Sequence, residues 1–574
     1  MVPEAVLPSS TTLSQRTDAK HGERVSGIVE SCATALALAA VAMLRIVYAF
    51  VYRVDSDEPQ HLHVVWGWAH GLVQYKTIFD NHSPLFQMLC APLFRMIGEH
   101  AWIVIPMRLA MLPLYAADLW LVYCIGRALY NQRWGVWTAL VAGGVPIFFF
   151  VTTEFRTDDL WTTVWLAAVW LAVSGPLTGR RAFMFGLTMG MCFAVSMKTT
   201  LLLLSLGTAG LGLLVLHGLS RRRREVMGML KAGGLMLAGL VIVPGLLIGF
   251  FATQGALHQM YYCVIEHNTV PGLGKWAKAG IHLWLFPLSL PALLGLGWLC
   301  MHSTASERIG SGRALILMTC GAYYFLLRSY WPLVTAQDFV PMWPLMILST
   351  APFLFHLLSL TGWPARVFVP AAGLALLAIE AGLIVKQQSP LKNQLRPFEQ
   401  NLAAVLRLTD PGDYVMDGKG ETIFRMRPTY WVFEGVTIKR MQLGSIPDDV
   451  RERMIETGTC VAVNHRLRNQ DKAWFRANYL EGGGKVWVAG KSLGAAKAVM
   501  AFHTDIQAKY SVVSDAGALA GKLDGSPLLA TQEIEPGDHR LELTDGKGRV
   551  AVVWTQALER GFSPFNKTIA GLRE

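Results

Sequence analysis

Eleven apolar stretches separated by polar loops constrain this chain more than any other feature. They lie near 31–51, 102–126, 134–152, 159–174, 182–197, 199–217, 229–252, 281–301, 313–329, 337–358 and 366–386. Crossing the hydrocarbon core of a bilayer takes about 20 apolar residues in a helix. Inside lipid a segment must satisfy its own backbone hydrogen bonds, so stretches of this kind fold as helices. Over 574 residues the chain is 53% hydrophobic and only 16% charged, against about 25% charged in soluble domains. The expected fold class is a polytopic α-helical membrane protein with about 11 transmembrane helices and a C-terminal soluble α+β/β domain. The apolar piece "PLFQMLCAPLFRMIG", residues 84–98, is shorter and is expected to lie in or dip into the interface.

Positive charge sets the orientation. With a cytoplasmic N-terminus, Arg127 and Arg133, Arg180 and Arg181, Arg221 to Arg224, Arg308 and Arg313, and Arg366 all fall on the inner side. That satisfies the positive-inside rule, and shifting the count by one helix scatters the clusters. The net charge of +11 therefore reports membrane orientation, and no aromatic-interleaved basic stripe points to nucleic acid. The eight cysteines are scattered with no CxxC pair, as small buried hydrophobes are. Expected divisions are a cytoplasmic tail 1–30, a membrane domain 31–386, an outer soluble α/β domain 387–495 and a small β-rich domain 496–574. The last two rest on "CVAVNH" and "GGKVWVAGKSL", then on the alternating "AKYSVVSD" and "HRLELTDGKGRVAVVW".

The outer ends of the spans collect ionisable residues from loops far apart in sequence, and such groups at membrane depth mark functional cavities. "DSDEPQHLHVVWGWAHG" carries Asp55, Asp57 and Glu58 where the chain leaves the first span. Three readings stay open there: a divalent-cation site, a general base beside a hydrophobic substrate, and a solvated helix start with an acidic first turn. The residues that follow suit a helix lying along the interface. In "YKTIFDNHSPLF", Lys76 or His82 provides a cation for an anionic head group. In "TTEFRTDDLW", Glu154 and Asp158 are four apart and would share a helical face, with Arg156 pointing elsewhere.

Taken together, the "DE" pair, "FDNHSPLF" and "FRTDDLW" resemble the polytopic lipid-phosphosugar glycosyltransferases. These GT-C enzymes are related to dolichyl-phosphate-mannose protein mannosyltransferases and the lipid A aminoarabinose transferase, in the manner of glycosyltransferase family 39. "YYCVIEHNTVPGLGKW" and "AQDFVPMWPLM" are similar to that group's later loop and tenth-span segment. The resemblance covers roughly residues 30–385. It implies an inverting transfer from a polyprenyl-phosphate sugar to a lipid, polysaccharide or protein acceptor on the outer face of a bacterial inner membrane. It implies Asp57 as catalytic base with Glu58 as its neighbour in acceptor binding; an outer acid from Glu154 or Asp158 is expected in support. "NHSPLF" stands where many members have "KPPL", so His82 takes the place of their lysine, with Lys76, Lys275 and Arg328 as further candidates for the donor phosphate. Asp55, Glu154, Asp158, His267, Gln337 and Asp338 are the expected sugar- or acceptor-binding set. No cofactor is implied, with the divalent cation left open. A secondary transporter is the alternative, but transporters place their ionisable sites near mid-membrane, whereas these acids lie at outer ends. A noncatalytic glycolipid-binding protein is a second alternative, separable by neutralising the first-loop acids.

Overall fold

The protein is described from a computed structural model covering residues 10–216, 223–270, 307–331, 333–360, 362 and 364–572. The expected span 281–301 and the candidate Lys275 lie outside the described residues. Each of the other expected spans carries helix. The first, Ser10–Val51, runs for 42 residues and takes in much of the expected polar tail. The stretch 102–126 divides into Val104–Leu109 and Leu112–Leu129, and 134–152 into Gln132–Gly144 and Pro146–Val151. A proline opens the second helix of each pair, where its missing N–H breaks no bond.

Among the described residues, four segments are long and apolar enough to cross a bilayer by themselves: Gly27–Val51, Val104–Leu129, Leu230–Thr253 and Ala365–Gln387. The count of eleven is thus not reached by length alone. Leu36, Met43, Leu211 and Leu246 face outward, an arrangement that water would penalise. Helices Gly179–Val195 and Arg223–Thr253 close on one another at Gly186 and Gly190, where any Cβ would strike the carbonyls of Met236 and Leu240. Small residues four apart permit that approach without a hydrophobic drive between helices.

Two short helices decide the site. Leu85–Ile97 buries Phe86, Gln87, Ala91 and Phe94 and leaves Leu89 and Met96 exposed, as an interfacial helix does. Asp57–Ala69 does not lie along the interface as expected: Glu58 through Gly67 are all buried. The loop 417–434 covers it, with the His63 ring nitrogen Nδ1 2.8 Å from the Ile423 carbonyl.

The C-terminal region centres on a seven-stranded sheet. Its order is Val415–Met416, Val461–Val463, Val486–Ala495, Arg549–Trp554, Ala508–Ser514 and Gln532–Ile534, with Tyr479–Glu481 paired onto Val486–Ala495. A second sheet joins Val499–Thr504, Gly537–Asp545, Ala520–Leu523 and Ser526–Pro527. Both share one apolar core with the helix Arg396–Leu408. The boundary expected at 495/496 therefore falls inside one sheet, because Val486–Ala495 pairs directly with Arg549–Trp554. The alternation along each strand shows in the sequence; which strand it pairs with does not.

Candidate active site

The chain leaves the first helix at Val51 and starts the next at Asp57, so Asp57 and Glu58 occupy a first helical turn, where the helix dipole favours carboxylates. Opposite them, Arg156 precedes the helix Thr157–Val173 in an extended conformation, φ −142° and ψ 155°. Residues 152–156 are not helical, so the expected shared face of Glu154 and Asp158 gives way to a different arrangement. The Arg156 side chain, 4% exposed, sits at the centre of four carboxylates. Its Nη1 donates to Asp55 Oδ1 at 2.9 Å and Glu154 Oε2 at 3.3 Å. Its Nη2 donates to Asp57 Oδ2 at 2.7 Å and Gln337 Oε1 at 2.9 Å, and its Nε to Asp158 Oδ2 at 3.0 Å.

A cavity of about 780 Å³ opens beside this cluster. Asp55, Asp57, His82, Arg156, Asp158, Gln337 and Asp338 line it together with Lys198, Lys419, Glu434, Lys439 and Arg466. The membrane loops and the C-terminal domain thus share one wall. Lys419 Nζ donates to Asp57 Oδ1, and Lys198 Nζ to Asp338 Oδ1. His82 Nδ1 lies 2.8 Å from Asp80 Oδ1. Asp80 is itself fixed by Gln60, Gln74 and Gln87, which donate to it at 3.2, 2.7 and 3.2 Å.

Several sequence candidates stand elsewhere. Glu58 turns away from the cavity into a closed pair with Arg108: Arg108 Nη2 donates to its Oε2 at 2.6 Å, and both side chains are wholly buried. Glu154 lies behind Arg156, not on the cavity wall. His267 is buried behind Glu434, with Nε2 3.4 Å from Glu434 Oε1 and the ring stacked on Trp431. Lys76 stands on the surface, where its Nζ donates to the Gln254 carbonyl at 3.4 Å. Arg328 lies over the Tyr324 ring, away from the cavity.

Burial and charge act in opposition at these groups. Burial pushes the Asp57 carboxyl up, but the charges of Lys419 and Arg156 outweigh it and hold the group well below the usual carboxylate range. Asp55 is likewise lowered, by Arg156 against burial. Glu154 goes the other way: burial, then neighbouring Asp55, push its carboxyl well above the ordinary value, which favours the neutral form. Burial lowers His82, yet Asp80 overrides it and raises the imidazole above its ordinary value. The pocket therefore pairs an acid biased toward its anion with a histidine biased toward its cation.

Sequence reasoning passed over the cations that complete the wall. Lys198, a charge between two apolar runs, was legible as a membrane-depth ionisable group. A helix through 154–158 would point Arg156 away from the acids, but its backbone is extended and carries the side chain among them. Lys419 shows only as a lysine between two glycines in "DGKGE", a signal for a turn and nothing more.

Residues 81–248 match the family model for dolichyl-phosphate-mannose-protein mannosyltransferase. Among solved structures, ArnT from Cupriavidus metallidurans bound to undecaprenyl phosphate aligns with a TM-score of 0.53 at 11% identity, over 79% of this chain and 97% of that one. Its fold is that of the GT-C glycosyltransferases. Apo ArnT from the same organism gives 0.53 at 13% identity, over 79% of this chain and 96% of that one. The apo oligosaccharyltransferase of Archaeoglobus fulgidus gives 0.46 at 11% identity, over 80% of this chain and 74% of that one. No curated protein matches the sequence. The GT-C resemblance drawn from the sequence is upheld, by the family match over residues 81–248 and by the fold.

Proposed function

We propose that the protein transfers a sugar from a polyprenyl phosphate to an acceptor on the outer face of a bacterial inner membrane, with inversion at the anomeric carbon. The observation that carries this reading is the cavity at the outer helix ends, where Asp57 faces a set of cations at the mouth of a GT-C fold. The acceptor hydroxyl attacks the anomeric carbon, the bond from that carbon to the phosphate oxygen breaks, and the hydroxyl proton passes to Asp57. Polyprenyl phosphate departs as an anion, and His82 with Lys198 supplies positive charge where that charge develops. Held by Lys419 and Arg156, Asp57 is ionised throughout the physiological range but weakly basic. It takes the proton late, once bonding to the anomeric carbon has made the hydroxyl acidic. No covalent sugar–enzyme intermediate is needed. The acceptor class is a lipid, a polysaccharide or a protein.

The test is transfer. Purified protein in nanodiscs, given a panel of labelled undecaprenyl-phosphate sugars and envelope extract, is expected to move label into one extract component while releasing undecaprenyl phosphate. Label that stays on the donor across the whole panel overturns the reading. Reporter fusions after Ser220 and Leu391 test the orientation and are expected on opposite sides; both on one side would remove the outer-face assignment.

A further inference from the structure

The loop 417–434 belongs to the C-terminal domain, yet it is built as an insert for the membrane domain. Asp417, fully buried, ties the loop to itself. It accepts from the Gly420 and Thr422 backbones at 2.7 and 2.8 Å, from Thr422 Oγ1 at 2.7 Å and from Arg427 Nε at 2.8 Å. Four donors on one carboxylate saturate it and leave the turn a single conformation. Gly420 sits at φ +83°, and a Cβ there would press on His63 and on Gln60 of the helix beneath, so the turn can seat only without a side chain at that point. Further along, Arg425 Nη1 donates to Glu99 at 3.0 Å and the Tyr430 hydroxyl to the Tyr75 carbonyl. The result is a rigid loop pinned to the membrane domain on several sides, and it presents one side chain to the cavity's acid: Lys419, 6% exposed, on Asp57 Oδ1.

We propose that Lys419 is a positioning residue for Asp57, through which the soluble domain completes the membrane-embedded site. Arg156 grips Asp57 Oδ2 and Lys419 grips Oδ1, so the carboxylate plane is fixed from both ends. Ser56 Oγ adds a third donor at 3.0 Å. With Lys419 removed, Oδ1 is left with the neutral Ser56 hydroxyl while Oδ2 keeps the Arg156 cation, so the carboxylate is held firmly at one end alone. Asp57 retains 20% side-chain exposure, so the pair stands on the cavity wall and not in a closed core. A purely structural lysine would gain nothing from being delivered there. This inference rests on the transferase reading for its kinetic consequence, but not for its geometry.

The experiment therefore has two arms, both on the full-length protein in nanodiscs. In the first, a carbodiimide that labels protonated carboxyls is titrated across pH, and modification of Asp57 is followed by mass spectrometry. Lys419→Ala is expected to move the labelling midpoint upward by about 1–3 pH units, the usual effect of an adjacent opposite charge on a carboxylate. Lys419→Arg restores the wild-type midpoint. An unchanged midpoint in Lys419→Ala overturns the proposal, whether or not sugar transfer is ever observed. In the second arm, Lys419→Ala is expected to lower kcat by about 10²-fold, the scale of a small misplacement of a catalytic group. KM for the donor stays within about twofold, and Lys419→Arg recovers most of kcat. A loss in both variants accompanied by a lowered melting temperature identifies Lys419 as a fold residue and sinks the positioning role. A wild type with no transfer defeats the transferase reading while the labelling arm still decides Lys419.

Discussion

Around Glu58 one carboxylate meets one guanidinium; around Arg156 one guanidinium meets four carboxylates. The two clusters start from neighbouring residues of one helical turn, Glu58 and Asp57, and differ in closure. Arg108 gives Nε and Nη2 to Glu58 at 2.7 and 2.6 Å, and the rest of its fork goes to the carbonyls of Tyr52 and Arg53, both at 2.8 Å. Glu58 also accepts from the Phe155 backbone at 2.9 Å. Every group there is used, water is excluded, and the pair ties the exit of the first helix to the loop that carries Arg156. The Arg156 cluster has more acids than its own guanidinium can serve. It recruits Arg53 to Asp55 and Lys419 to Asp57, favours the neutral form of Glu154, and stays open to a cavity. A closed pair holds shape, whereas an unbalanced cluster on a wall can exchange a partner for a substrate.

The comparison breaks most visibly at Glu58. Removing one member of a buried pair leaves the other charged and unpaired, at a cost of about 3–5 kcal/mol. Glu58→Gln is thus expected to lower the melting temperature sharply or to abolish accumulation of folded protein, as read by size-exclusion fluorescence. A Glu58→Gln protein that melts like wild type would remove the distinction between the clusters.

Asp57→Asn is expected to do the reverse. It keeps size and hydrogen-bonding capacity, so the fold should persist while turnover in the transfer assay falls by about 10²–10⁴-fold, the usual scale of general-base catalysis. Lys76→Ala, remote and exposed, serves as the unaffected control. Asp57→Asn turning over at the wild-type rate would end the first-loop mechanism.

The smallest effect concerns pH. The folded value of His82 is raised above its ordinary 6.5. Its contribution to stability is fully present below that ordinary value and is lost as pH rises through the raised one. Asp55 and Asp57, lowered from 3.8, contribute above that ordinary value and lose it as pH falls through their depressed values. Melting curves from pH 3 to 9 should decline at both ends, and His82→Gln should flatten the alkaline side alone. An unaltered alkaline side would mean that the His82–Asp80 contact contributes no net stability.

The membrane part of the fold was legible because hydropathy is a local property, and each stretch that lies in the described residues carries helix. The sheet was legible strand by strand but not as a whole: pairing 486–495 with 549–554 is a long-range choice that alternation cannot encode. At the site, Asp55 and Asp57 were found because they sit where a span ends. Glu58 was drawn in by adjacency, and only its direction along the helix turn separates it from Asp57. Lys419 could not be found, since 362 residues of chain separate it from its partner and a glycine-flanked lysine fits any turn. Arg156 is in plain view in the sequence, but a helix through 154–158 would point it away from Glu154 and Asp158, whereas its extended backbone brings it among them.

The central position of Arg549–Trp554 has a consequence for biosynthesis. That strand lies between Val486–Ala495 and Ala508–Ser514, so the sheet stays split until the ribosome has passed residue 554. The helices around Asp57 are made hundreds of residues earlier and can insert while translation continues. Between those two moments the acid cluster stands without the wall that the C-terminal region supplies. Nonsense or frameshift lesions after residue 500 should therefore silence a site whose every membrane-borne residue is intact, and the unfinished chains are the ones a quality-control protease would meet.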